Sequence, residues 1–187
     1  ILDFAYQGFG DGLIEDAASL RAFLATGCEV LVASSSSKNF ALYNERVGSL
    51  AIIGADGAAA ASIASHARMA VRTMWSNPPA HGGAIVATIL NDATLRAQWE
   101  GEVSAMRTRI QESRTAFAAA LTAAGAGDFS YLLDHHGMFS LLGLTDDQLK
   151  RLRDEHAVYL VARGRINMAG LSAAKIPVVA KAVAAVR

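Results

Sequence analysis

Four consecutive apolar residues, Val30-Leu31-Val32-Ala33, run straight into four serines at 34–37. A run this short and this apolar predicts a strand buried on both faces, in a sheet covered by helices on either side. The stretch before it, 16–26, carries apolar residues at 17, 20, 23 and 24, and Gly27 closes it as a C-cap would. Residues 1–4 and 47–53 read as two further strands, ended by the glycines at 8, 10 and 12 and by Gly54. Strands alternating with helical stretches predict an α/β sheet, parallel for the most part.

Downstream the pattern changes. Residues 58–74 are alanine-rich and helical until Asn77-Pro78-Pro79 breaks them. Residues 81–90 form a second helix. Asp92 is placed to cap a third, running from 93 to about 124 before Gly125-Ala126-Gly127. At 1.5 Å per residue that helix is roughly 45 Å long, long enough to bridge two domains. Short strands are expected near 129–132 and 138–141, then a helix to about 155 started by the capping box Thr145-Asp146-Asp147-Gln148. Strands near 158–161 and 165–167 and a helix from 172 complete an α+β layer. The predicted division is therefore 1–105, part of an α/β domain, and 106–187, a small α+β domain. The opening Ile1-Leu2-Asp3-Phe4 has no Met and reads as the middle of a strand. The expectation is a piece of a longer protein, with the missing part upstream.

Composition excludes several function classes. Seventeen basic and seventeen acidic residues cancel, which speaks against an electrostatic nucleic-acid binder. The lone Cys28 rules out a disulfide framework or a cysteine-built zinc site, and it suits a reducing compartment such as the cytoplasm. No apolar run approaches the ~18 to 20 residues of a membrane span. His135-His136 could suggest a metal, but adjacent histidines in a loop read better as solvent-exposed, and the other histidines share no ligand spacing, so no metal is expected.

Lysine is scarce. Four lysines stand against thirteen arginines, and Lys38 is the only lysine before residue 150. Following a buried strand and a serine run, it falls at the carboxyl end of a sheet strand, where ligands bind in open α/β sheets. A lysine held there, partly out of water, can attack a carbonyl. On spacing alone it reads equally well as a surface lysine after a polar turn. A Ser-x-x-Lys spacing is also present, but the Ser-Asp-Asn and Lys-Thr-Gly elements that accompany it in serine acyl enzymes are not.

The wider segment, Ser34-Ser35-Ser36-Ser37-Lys38-Asn39-Phe40-Ala41-Leu42-Tyr43-Asn44-Glu45-Arg46-Val47-Gly48, resembles the cofactor-lysine motif of class I pyridoxal-phosphate aminotransferases, in their aspartate/aromatic amino acid branch. Four more islands share the resemblance: Asp3-Phe4-Ala5-Tyr6-Gln7-Gly8-Phe9; Arg72 with Trp75-Ser76-Asn77-Pro78-Pro79-Ala80-His81-Gly82; Gly137-Met138-Phe139-Ser140; and Gly164-Arg165-Ile166-Asn167-Met168-Ala169-Gly170. They are collinear with the family and span essentially the whole chain.

The resemblance implies the C-terminal part of the type I fold of such enzymes, with a partial, mostly parallel large-domain sheet, a long bridging helix and a small α+β domain. It implies pyridoxal 5'-phosphate as cofactor. Lys38 would form the Schiff base with the cofactor aldehyde and later carry the substrate's α-proton. Asp3 would face the pyridine nitrogen and keep the ring protonated. Burial after an apolar strand would favour a cationic partner for that carboxylate. Tyr6 would hydrogen-bond the phenolate oxygen, and Ser35 and Arg46 would hold the phosphate. Arg165 would clamp the substrate α-carboxylate, so that substrate bridges two domains, with Phe139 near its side chain. Arg72 would reach across a dimer interface to a second carboxylate or swing aside for an aromatic ring, with Ser76 and Asn77 in the same interface loop.

Without the resemblance each of these has an ordinary reading: Asp3 a turn residue, Tyr6 and Phe139 packing, Ser35 a turn serine, Arg46 an ion pair with Glu45, Arg72 and Arg165 solvated. The implied reaction is amino transfer between an aromatic amino acid or aspartate and a 2-oxo acid such as 2-oxoglutarate, in a homodimer with shared sites. The alternatives are a lyase or decarboxylase on the same scaffold, or a non-catalytic folding or interaction fragment. A whole family member is about twice this length, and the upstream half supplies several sheet strands and part of the cofactor site. The 187 residues alone are therefore expected to be inactive.

Overall fold

The computed structural model describes residues 1–187 and divides into two compact units, Ile1–Ser104 and Ala105–Arg187. The first holds a three-stranded sheet in the order β1 (Leu2–Phe4), β2 (Val30–Ser35), β3 (Gly48–Ile53). Strands β1 and β2 are parallel, with Asp3 opposite Ala33 and Phe4 opposite Ser34. Strand β3 is antiparallel to β2, with Ser35 opposite Gly48. The α/β class holds, but β3 departs from the expectation of a mostly parallel sheet. The link from 36 to 47 contains turns and no crossover helix, and a parallel return needs one.

Side chains alternate across a strand. Phe4, Val30 and Val32 are buried together, with Leu2, Ala17, Leu20 and Ile53 packed against them. The opposite face carries Asp3, Leu31, Ala33 and Ser35, none of them buried. Val30–Ala33 is thus covered on one face in this chain, not on both as its apolar run predicts. Gly48 is required where β3 enters: a Cβ there would lie 2.3 Å from the Ser34 carbonyl oxygen.

Residues 16–26 form a single 3₁₀ turn (Glu15–Ala17) followed by α1 (Ala18–Ala25). Helix α2 (Gly57–Trp75) is capped by Asp56, whose carboxylate accepts from the Ala59 N–H, and it buries none of its residues. Helix α3 (His81–Asn91) follows the proline break. Asp92 then caps α4 (Ala93–Ala123), accepting from the N–H groups of Thr94 and Leu95 at 2.8 and 2.9 Å. The boundary between the two units falls within α4.

In the second unit, Ile110, Arg114, Phe117 and Leu121 line the inward stripe of α4, spaced by fours and threes. They pack in a core with Phe129, Leu132, Leu142, Leu152, Met168 and Val183. Strands β4 (Phe139–Leu141) and β5 (Arg165–Asn167) pair antiparallel. Helix α5 (Asp146–His156) starts with the complete Thr145/Gln148 capping box, and α6 (Lys175–Val186) ends the chain. Two expected strands are absent. Residues Ser130–Asp134 are a 3₁₀ helix, and 158–161 make only an isolated bridge, Val161 with Arg165.

Candidate active site

Parallel pairing of β1 and β2 brings their carboxyl ends to one edge of the sheet. The predicted residues collect there by register. Asp3 and Ser35 project from the face opposite the core, Tyr6 follows β1 by two residues and Lys38 follows β2 by three. Because β3 runs the other way, its start lies beside Ser35, and Arg46, two residues earlier, arrives at the same edge. Turns join the strands: Ser36 N–H donates to the Val47 carbonyl at 3.1 Å, Ala41 N–H to that of Lys38 at 3.0 Å, and Ser37 N–H to Ser35 Oγ at 3.2 Å.

Lys38 Nζ sits 4.5 Å from the centroid of the Tyr6 ring, a cation–π contact. No carboxylate in the chain pairs with this amine. Arg46, at a positive φ of 52°, spends one N–H on the Tyr43 carbonyl and is otherwise turned to solvent, with no ion pair to Glu45. Glu45 instead meets His81 Nδ1 at 2.8 Å. Asp3 differs from expectation: it is exposed, has no cationic partner, and accepts the Ala5 N–H at 2.9 Å. The face it projects from is uncovered in this chain, so its charge stays in water.

The loop after Tyr6 is organised by a residue that the sequence reading placed only at a helix start. The Asp16 carboxylate accepts four main-chain N–H groups, from Gly8 (2.8 Å), Gly10 (3.0 Å), Asp11 (2.8 Å) and Gly12 (3.4 Å). Burial alone would raise its pKa, but the four donors outweigh that and hold it below the usual 3.8. A folded-state value below the unfolded one adds stability that is present above the unfolded pKa and is lost as pH falls through the folded one. Asp16→Asn replaces an acceptor with an NH₂ facing those donors. It is expected to cost about 1–2 kcal/mol at pH 7, the low end for charged hydrogen bonds because the carboxylate is partly solvated. Urea unfolding at pH 7 and pH 3 checks this, since the gap between variant and parent should narrow at the lower pH.

In the second unit, Phe139 and Arg165 are diagonal neighbours on one face of the β4/β5 pair, where Leu141 lies opposite Arg165. The Arg165 guanidinium carbon stands 4.8 Å from the Phe139 ring centroid. Both line a hollow of about 470 Å³ with Asp134, His135, His136, Ser140 and Leu141. Arg165 is exposed and makes no ion pair within the chain. His135, read from the sequence as a solvated loop residue, is half-buried, its ring 5.6 Å from that of Tyr131.

Arg72 lies in the last turn of α2, exposed, and Asn77 in the loop after it; neither side chain has a hydrogen-bond partner in the chain. The sheet edge brings together Asp3, Tyr6, Ser35, Lys38 and Arg46, whereas Arg72 and Asn77 share no hydrogen bond or ion pair with that group.

Comparison with known proteins gives these positions a family. The description "Aminotransferase class I and II" matches residues 1–183. The chain belongs to the class I and II aminotransferase family. It is 51% identical over its full length to the aspartate aminotransferase of Salmonella typhi, of which it covers 47%. It is 47% identical to the aromatic-amino-acid aminotransferase of Pseudomonas aeruginosa, again over all of this chain and 47% of that protein. Among solved structures, an aromatic-amino-acid aminotransferase from Burkholderia pseudomallei, covalently bound to pyridoxal phosphate, superposes with a TM-score of 0.94 at 48% identity. That superposition covers 99% of this chain and 47% of the other. The chain therefore spans about half the length of the curated relatives it matches. No helix is long and apolar enough to cross a membrane.

Proposed function

We propose that this chain is one half of a pyridoxal-phosphate-dependent aminotransferase that exchanges the amino group of aspartate or an aromatic amino acid with a 2-oxo acid such as 2-oxoglutarate. The observation that carries the reading is an amine without a carboxylate partner, Lys38, held over Tyr6 at the sheet edge that Asp3, Ser35 and Arg46 share.

The residues fit the cofactor chemically. An aldehyde needs an amine that is not tied up in an ion pair, and Lys38 is one. A phosphate dianion needs donors with spare capacity, and Arg46 and the Ser35 hydroxyl have it. When bound, pyridoxal phosphate supplies a carbonyl that takes up amines and a protonated ring that withdraws electrons from the α-carbon. The chain's own groups do the rest. Lys38 Nζ takes the proton from the substrate α-carbon and later returns one, on a stem of four carbons that lets one amine serve two positions. The Asp3 carboxylate would hold the ring N–H, the Tyr6 hydroxyl would donate to the phenolate oxygen, and the Arg165 fork, beside the Phe139 ring, would take the substrate α-carboxylate.

Arg72 and Asn77 act across a homodimer interface in this reading. Helix α2 supports it, because no residue of that helix is buried and Met69, Met74 and Trp75 all stand exposed. In this reading residues 1–105 belong to the large cofactor-binding domain and 106–187 to the small one. The working enzyme is cytoplasmic, and the 187 residues alone are inactive.

The test is a half-reaction with the full-length polypeptide that carries these residues, loaded with cofactor. Aspartate, tyrosine or phenylalanine should be converted to its 2-oxo acid, and 2-oxoglutarate to glutamate. Arg165→Ala should raise KM for the amino acid about 30-fold or more, the size of a lost charged pair. Release of carbon dioxide or ammonia in place of amino transfer would overturn the proposal.

A further inference from the structure

Two residues with no role so far join the segments that carry Lys38 and Tyr6. Asn39 directly follows Lys38, and Gln7 directly follows Tyr6. The Asn39 side-chain amide donates from Nδ2 to the Gln7 carbonyl at 3.3 Å. Asn39 is fixed in turn from the other side, where Trp99 Nε1 donates to its main-chain carbonyl at 2.7 Å. The Trp99 indole stacks on Phe40, with centroids 4.4 Å apart and planes within 14°. Gln7 is anchored as well, its Nε2 donating to the Leu13 carbonyl at 2.7 Å. Asn39 Oδ1 is buried with no donor, so the Gln7 bond alone sets which way this amide faces.

The sheet cannot do this job. Strand pairing between β1 and β2 stops at Phe4 and Ser34, so beyond that point the ladder registers neither Tyr6 nor Lys38. A reacting group must be held to within about half an ångström to be effective. A lysine stem on an unpaired loop does not achieve that by itself, because its rotamer freedom costs up to ~2 kcal/mol to fix.

We propose that Asn39, locked in place by Trp99, is a positioning residue that sets the Lys38 amine against the Tyr6 ring. The inference rests on the aminotransferase reading above. Asparagine suits the position because its amide donates to a carbonyl while its main chain stays free to accept. Aspartate would turn an acceptor toward the Gln7 oxygen.

The experiment uses the full-length protein loaded with pyridoxal phosphate, comparing the parent with Asn39→Ala and Trp99→Phe. The second variant keeps an aromatic ring against Phe40 and loses the N–H together with part of the stacked ring area. Four quantities are read: visible circular dichroism of the bound cofactor, the rate of borohydride trapping at Lys38, kcat with KM, and the melting temperature. The expected result is an altered dichroism band, slower trapping, and kcat lowered about 10- to 100-fold, the scale of an ångström misplacement. KM should stay within about threefold, because Arg165 is untouched. Trp99→Phe should move every readout in the same direction by a smaller amount, and it decides the matter if Asn39→Ala does not fold. Variants that melt earlier but keep the parent's dichroism, trapping rate and kcat per bound cofactor would overturn the inference. A parent that takes up no cofactor and traps nothing at Lys38 would overturn the aminotransferase reading, and this inference with it.

Discussion

Lys38→Ala in the full-length enzyme is expected to fold, to lose borohydride trapping of the cofactor altogether, and to transaminate more slowly by at least about 10²–10⁴-fold. The fold should survive because Lys38 lies beyond the last paired residue of β2 and makes one cation–π contact, worth about 0.5–1 kcal/mol at such a site. The rate loss is the usual contribution of a positioned general base. Lys38→Arg separates charge from chemistry. A guanidinium can still lie over the Tyr6 ring but stays protonated, so it neither attacks a carbonyl nor accepts a proton. Trapping should vanish in both variants, while Lys38→Arg should keep the parent's melting temperature within a degree or two. Trapping that persists in Lys38→Ala would place the cofactor on another lysine. Trapping is read by mass spectrometry of the reduced adduct, and the rate by the amino-acid half-reaction.

How much of this was legible in the sequence depended on how local the determinant is. The caps at Asp92 and Thr145 lie within three residues of the N–H groups they bind, and both are where the residue pattern puts them. The place of Lys38 beyond the carboxyl end of β2 was legible in an apolar run that ends in serines, whereas Tyr6 and Ser35 stood out only through the family resemblance. The direction of β3 was not, since apolar content says nothing about which way a strand runs. Nor were the false strands at 129–132 and 158–161: β-like composition alone does not decide pairing, and of the two segments only Val161 makes a bridge, to Arg165. Asp3 was expected in a buried setting that the uncovered sheet face does not provide. Asp16 was missed as a loop organiser because its four donors come together only once the glycine-rich loop has folded. A signal did exist for Arg114. The spacing Ile110, Arg114, Phe117, Leu121 puts an arginine on the apolar stripe of a helix, where a charge is costly unless something holds it.

Arg114 is 1% exposed, and all of its partners are neutral. Its guanidinium donates to Ser140 Oγ at 3.2 Å, to Gln111 Oε1 and to the Gly137 carbonyl. No carboxylate compensates the charge, and burial pushes its pKa down from the ordinary value. Removing it should therefore cost most through what it leaves behind. Arg114→Ala opens a cavity between Ile110 and Phe117 and strands three acceptors, for an expected loss of about 3–5 kcal/mol. Arg114→Met fills most of the volume and deletes the charge. With no partner carboxylate left unpaired, only the stranded acceptors remain, and the loss should fall to about 1–3 kcal/mol. The second consequence reaches the candidate substrate site. The Gly137 carbonyl and the Ser140 hydroxyl flank Phe139, whose ring lies against the Arg165 guanidinium in the lining of the hollow. Loosening that loop should raise KM for the amino acid in both variants, Arg114→Met included. Denaturant unfolding separates the two stability costs, and steady-state kinetics on Arg114→Met isolates the loop's effect on binding. An Arg114→Met protein as stable as the parent and with the parent's KM would show that the buried guanidinium merely fills space.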